Sequence, residues 1–147
     1  AWLGSASGSF SSADGVLAQV PLDVVSLQLA DLDGDFDPDL AVALAGAAPF
    51  RIYVDREGRL EDQSFVKLPQ PAPTATAIAI GGWDGGCEID AVLASAMGGR
   101  ALRGRDGGFD AETDLPDATD VVMADLDEDG DRDVVLATPD GARWLAR

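Results

Sequence analysis

The chain has 147 residues, 46% of them hydrophobic, enough for one domain with its own core and too many for a disordered segment. Acidic residues outnumber basic ones 27 to 10, and the net charge of −17 repels nucleic acid over most of the surface. The absence of histidine removes the commonest general base, the usual Ser-His and Cys-His nucleophile pairs and the ordinary zinc and haem ligands.

The chain opens on Ala1-Trp2-Leu3-Gly4, a strand-like start that implies removal of a leader or flanking segment. Residues 1–20 read as two strands, C and D of a split unit, with D running from Ser9 to about Val20. A first full unit spans residues 24–69: strand A from Val25 to Ala30, an acidic loop, strand B from Leu40 to Ala45, strand C from Phe50 to Asp55 and strand D from Leu60. A second full unit covers residues 75–115. A last one, residues 119–147, contains strands A to C and ends before D. Loops fall at Pro49, Pro69 to Pro73, Pro116 and Pro139 to Gly141, since proline has no place inside a central strand. No stretch of ten or more residues shows a 3.6-residue apolar period, so the class is all-β. No run of 18 apolar residues occurs either, which argues against a membrane-spanning helix.

The units are read from internal repetition. Leu27-Gln-Leu-Ala-Asp31-Leu-Asp33 recurs 94 residues later as Val121-Val-Met-Ala-Asp125-Leu-Asp127, with a middle copy at Ile78-Ala-Ile-Gly-Gly82-Trp-Asp84. After each loop, Leu40 to Ala43 matches Ala91 to Ala94 and Val134 to Ala137. A glycine turn followed by a large apolar residue recurs at Phe10, Leu60 and Phe109, and Leu3, Tyr53, Leu102 and Leu145 occupy one equivalent strand position. Three kinds of element repeating in one order outweigh chance similarity in an alanine- and aspartate-rich chain. Units of about 45 to 50 residues with four strands each fit the blade of a β-propeller.

The loops between strands A and B carry the chemistry. In Asp125-Leu-Asp127-Glu-Asp129-Gly130-Asp131-Arg-Asp133, carboxylates occupy positions one, three, five, seven and nine, and Asp31, Asp33, Asp35, Asp37 and Asp39 repeat that spacing. Alternate aspartates on a curled loop can aim their oxygens at one point, as a hard cation such as Ca2+ requires. At position seven, Asp37 and Asp131 offer their backbone carbonyls more readily than their side chains. The two stretches contain eleven acids, whose mutual repulsion would raise their pKa values and open the loops unless a cation neutralised it. A solvated turn is the ordinary fate of one such stretch; two at equivalent places in a repeat favour metal. Gly130 at position six supplies the positive φ of a tight curl, whereas Phe36 stands there in the first loop and would be strained. The middle loop, Gly82 to Asp90, retains only Asp84, Glu88 and Asp90 and reads as a degenerate, metal-free site in which Cys87 is a bystander. An EF-hand is excluded because its twelfth position, normally glutamate, is Val42 or Leu136.

These residues, Ala30 to Asp35 and Asp39 to Val42 in the first unit and Ala124 to Gly130 and Asp133 to Leu136 in the last, resemble the FG-GAP/VCBS repeats of integrin alpha-like propellers and many bacterial surface proteins. The resemblance implies a Ca2+ in the A-B hairpin loop of each intact blade, two per chain, in an extracellular or cell-surface module for adhesion or ligand binding. Carried over by position, the ligands are Asp31, Asp33, Asp35 and Asp39, and Asp125, Asp127, Asp129 and Asp133. Three blades cannot comfortably surround an axis, so the chain is expected to form a homo-oligomer, most simply a six-bladed homodimer in which chain ends exchange strands. A fragment of a longer array is the other reading.

Two further functions stand beside the binding module: a calcium-dependent carbohydrate-active enzyme, for which no acid-base pair is visible outside the loops, and a pure assembly scaffold. Arg100, Arg103 and Arg105 form the one basic cluster, either a solvated turn or a contact for an acidic neighbour. Trp2, Trp83 and Trp144 are either core and subunit contacts or platforms for a sugar.

Overall fold

A computed structural model describes residues 2–4, 6–12, 23–46, 48–83 and 85–146. Apart from one helical turn, its regular structure is entirely antiparallel β. The first four-stranded sheet is a meander of β3 (Val24–Ala30), β4 (Asp39–Leu44), β5 (Arg51–Asp55) and β6 (Leu60–Asp62). The second repeats it with β7 (Ala77–Gly81), β8 (Asp90–Ala94), β9 (Gly99–Arg105) and β10 (Gly108–Leu115). The third has three strands, β11 (Asp120–Ala124), β12 (Asp133–Thr138) and β13 (Gly141–Leu145), and β1 (Trp2–Gly4) and β2 (Phe10–Ser12) pair with each other. The expected strand D from Ser9 to Val20 is therefore seen as β2, and its continuation beyond Ser12 lies outside the described residues.

Two-residue turns fix the outer hairpins. Glu57-Gly58 and Asp106-Gly107 all take positive φ, the conformation of the turn that matches strand twist, and Arg56 and Arg59 exchange both backbone hydrogen bonds across the first of them. Among the described residues the one helix, α1 (Ser64–Lys67), is a single turn after β6, and the Lys67 ammonium donates to the Gly107 carbonyl in the β9–β10 turn of the second sheet.

Side chains alternate between the two faces of each sheet, and the alternation joins neighbouring sheets. Ala41, Ala43 and Ile52 share a core with Ile78, Ala91, Leu93 and Leu102. On the opposite face of the second sheet, Ala79, Val92 and Ala101 pack with Val121, Val134 and Leu136. Strands β4 and β8 are thus buried on both faces, which explains their unbroken apolar runs. Alanine recurs at the contacts because small side chains let twisted sheets approach closely. Each acidic loop leads directly into a strand B whose apolar residues lie in this core.

Candidate metal centres

Each loop is anchored by its ninth residue. Asp39, Asp90 and Asp133 are buried, and their Oδ2 atoms accept hydrogen bonds from the backbone N–H of Leu32, Trp83 and Leu126 at 2.8, 2.7 and 2.9 Å. Oδ1 of Asp39 accepts from Asp55 N at 2.8 Å, and Oδ1 of Asp90 from Gly104 N at 2.9 Å. One carboxylate thus ties the loop to itself and, in the first two sheets, to strand C. Burial pushes the Asp39 carboxyl above its ordinary range; the N–H groups of Asp55 and Leu32 oppose that, and the charges of Asp33 and Asp35 add to it.

The curl of the loops comes from their first and fifth residues. Asp31 Oδ1 accepts from Gly34 N at 2.8 Å and Asp35 N at 3.1 Å, and its Oδ2 accepts from Phe36 N at 3.0 Å. In the third loop, Asp125 Oδ2 accepts from Gly130 N at 3.1 Å. Asp35 and Asp129 each accept from the residue two positions on, Asp37 and Asp131, both at 2.9 Å. Positions four and six take positive φ in both loops, Gly34 (80°) and Phe36 (71°) in the first and Glu128 (62°) and Gly130 (96°) in the third. Phe36 therefore adopts the strained conformation that its place in the repeat predicts, with its ring in solvent.

This wrapping brings two carboxylate groups together. One oxygen each from Asp31, Asp33 and Asp39 lies within 4.8 Å of the others, and Asp125, Asp127 and Asp133 do the same. Asp35, Asp37, Asp129 and Asp131 stand outside these triads. The donors are hard oxygens, three per site, about half of the shell that a calcium-sized ion requires. Asp33 Oδ1 is buried and accepts no hydrogen bond, so a cation would satisfy an atom that the protein leaves without a partner. Desolvation, followed by repulsion from Asp129 and Asp133, raises the Asp127 carboxyl above the usual carboxylate range. Both observations fit a bound cation.

The two sites differ in their surroundings. Arg56, just after β5, reaches into the first, with Nη1 at 3.0 Å from Asp33 Oδ2 and 3.6 Å from Asp35 Oδ2. In the middle loop, glycines stand at positions one and five, Asp84 lies outside the described residues, and Glu88 Oε1 accepts from Asp106 N at 3.1 Å. Among the described residues no carboxylate cluster forms there. A cleft of about 350 Å³ separates the first and middle loops, lined in part by Asp31, Asp33, Glu88 and Arg105, with Cys87 at its rim and exposed.

The basic cluster is paired rather than free. Arg100 lies 3.4 Å from Asp114, Arg105 lies 3.1 Å from Asp110, and Arg103 is also engaged. Trp83 packs at the core between the second and third sheets, whereas Trp144 is exposed. Sequence reading missed the anchoring role of position nine and the counter-charge of Arg56. The first had a signal, since Asp90 persists where the acids at positions one and five are lost.

No model of a known protein family matches the chain, and no curated protein matches it. Among the described residues, no helix is long and apolar enough to cross a membrane.

Proposed function

We propose that this chain is a calcium-stabilised repeat module of the β-propeller type, each four-stranded sheet being one blade, and that it binds a partner outside the cell. The observation that carries the reading is the pair of carboxylate triads at equivalent hairpins of repeated sheets, one of them with a buried oxygen lacking any partner. Calcium at these tips would cancel the repulsion among the aspartates and fix loops that otherwise depend on strained left-handed residues. The ion is structural in this reading. Among the described residues the carboxyls pushed upward, Asp39 and Asp127, both belong to the hairpin loops, which favours a binding module over a carbohydrate-active enzyme. Millimolar calcium outside cells suits sites with so few protein ligands. The three-stranded third sheet and the separate β1–β2 pair support a two-copy assembly in which the N-terminal strands of one chain complete the last sheet of another.

Thermal unfolding in excess calcium and in chelator tests the metal. One site held at 100 times its Kd adds about 2.7 kcal/mol, a rise in midpoint on the order of 10 °C for a chain of this size. An unchanged midpoint at millimolar calcium would remove the structural role.

A further inference from the structure

Each sheet has a forward face, turned to the next sheet in the chain, and a backward face, turned to the previous one, and the cross-strand register identifies equivalent positions on them. Backward positions on strand A are Leu27 and Leu29 in the first sheet, Ile78 and Ile80 in the second, and Val121 and Met123 in the third. Ile78 and Val121 are 3% and 5% exposed because a forward face covers them, whereas Leu27 is 57% and Leu29 62% exposed. Forward positions run across three strands, and the row Ala79, Val92, Ala101 of the second sheet corresponds to Val122, Val135, Trp144 of the third. The row in the second sheet is buried, whereas Val122 and Trp144 are more than half exposed. The two ends of the stack therefore present apolar side chains where the contact between the second and third sheets buries their equivalents Ala79, Val92, Ala101 and Val121, and where Ile78 is buried against the first sheet.

We infer that the forward face of the third sheet, through Val122, Val135 and Trp144, receives the backward face of the first sheet of a second copy, through Leu27 and Leu29. The inference rests on the two-copy assembly just proposed and specifies its faces; metal binding does not enter. The occupant is a second copy because the chain carries both halves of one interface, and its two internal sheet contacts show that forward accepts backward. Such a head-to-tail contact closes when two copies are related by a two-fold axis and each forward face finds the other's backward face. Large apolar side chains left in water at both ends become buried, which drives the association.

The test is solution mass by light scattering on the whole chain, with Trp144→Glu and Leu29→Lys as variants. Both residues are exposed in the single chain, so neither change disturbs its core, and circular dichroism checks the fold. The unaltered chain is expected at twice its own mass. Each variant alone is expected as single copies at concentrations at least 100-fold higher. A mixture of the two variants restores the dimer, because the introduced carboxylate faces the introduced ammonium at one contact and the other contact is native. A dimer indifferent to both variants would overturn the face assignment while leaving a two-copy assembly standing. Single copies of the unaltered chain at high concentration would overturn both. Repeating the series in calcium and in chelator separates either failure from that of the metal sites.

Discussion

The middle and third loops share one anchor and differ in everything around it. Asp90 and Asp133 are buried at the same position and accept the same hydrogen bond from the loop's second residue, yet among the described residues only the third loop gathers three carboxylates. One aspartate and its backbone partners thus anchor both hairpins alike, whether or not a carboxylate triad stands beside them. The first loop adds a variation, an arginine against two of its acids. The first and third loops also place their one glycine in opposite positions. The first has it at position four and strains Phe36 at six, whereas the third strains Glu128 at four and has glycine at six.

The largest effect should come from the anchor. Asp90→Ala leaves the N–H groups of Trp83 and Gly104 without partners, at a cost of about 2 to 4 kcal/mol, and the loss in urea unfolding should be the same in calcium and in chelator. A calcium-dependent loss would mean that the middle loop holds an ion after all. Next comes Asp127→Asn, which should abolish the calcium-dependent rise of the third loop and leave the chelated protein no less stable. The pH dependence has a matching sign. A carboxyl raised in the folded state contributes stability only as pH falls through its folded value, so in chelator the third hairpin should gain hydrogen-exchange protection on mild acidification. With calcium it should lose protection, because protons then compete with the ion.

Arg56→Gln sharpens the contrast between the two loops that carry carboxylate triads. Removing a positive charge from beside the first triad should tighten calcium there by about tenfold at low salt and leave the third site unchanged, as read by calorimetric titration. Equal affinities before and after would show that Arg56 does not feel the ion. The smallest effect is expected from Phe36→Gly, which relieves a left-handed phenylalanine and should stabilise the chain by roughly 0.5 to 1 kcal/mol in denaturant unfolding.

The strands and acidic loops were legible because their determinants are local. Apolar runs on either side of an aspartate loop, and glycine at the turns, place β3 and β4 within a residue of where the sequence puts strands A and B. Helix α1 was not legible, since four residues are too few to show a period. Arg56 was missed for a different reason: it meets Asp33 only after β4 and β5 fold back on the loop, and no spacing rule encodes that meeting. The anchor was hidden because its partners are backbone N–H groups, which every residue except proline has. Asp39 and Asp133 accordingly read as metal ligands alone, although each also holds its own hairpin shut.

Gly82 stands where the flanking loops carry their first aspartate, its φ is unexceptional, and a Cβ built on it would meet nothing within 4 Å. A side chain could be restored there without moving the backbone. An aspartate at position one is therefore a point change that the present backbone accommodates, a first step toward a carboxylate triad like those of the flanking loops. The repeat array would then behave as a set of sockets that evolution, or a designer, can switch on and off one at a time.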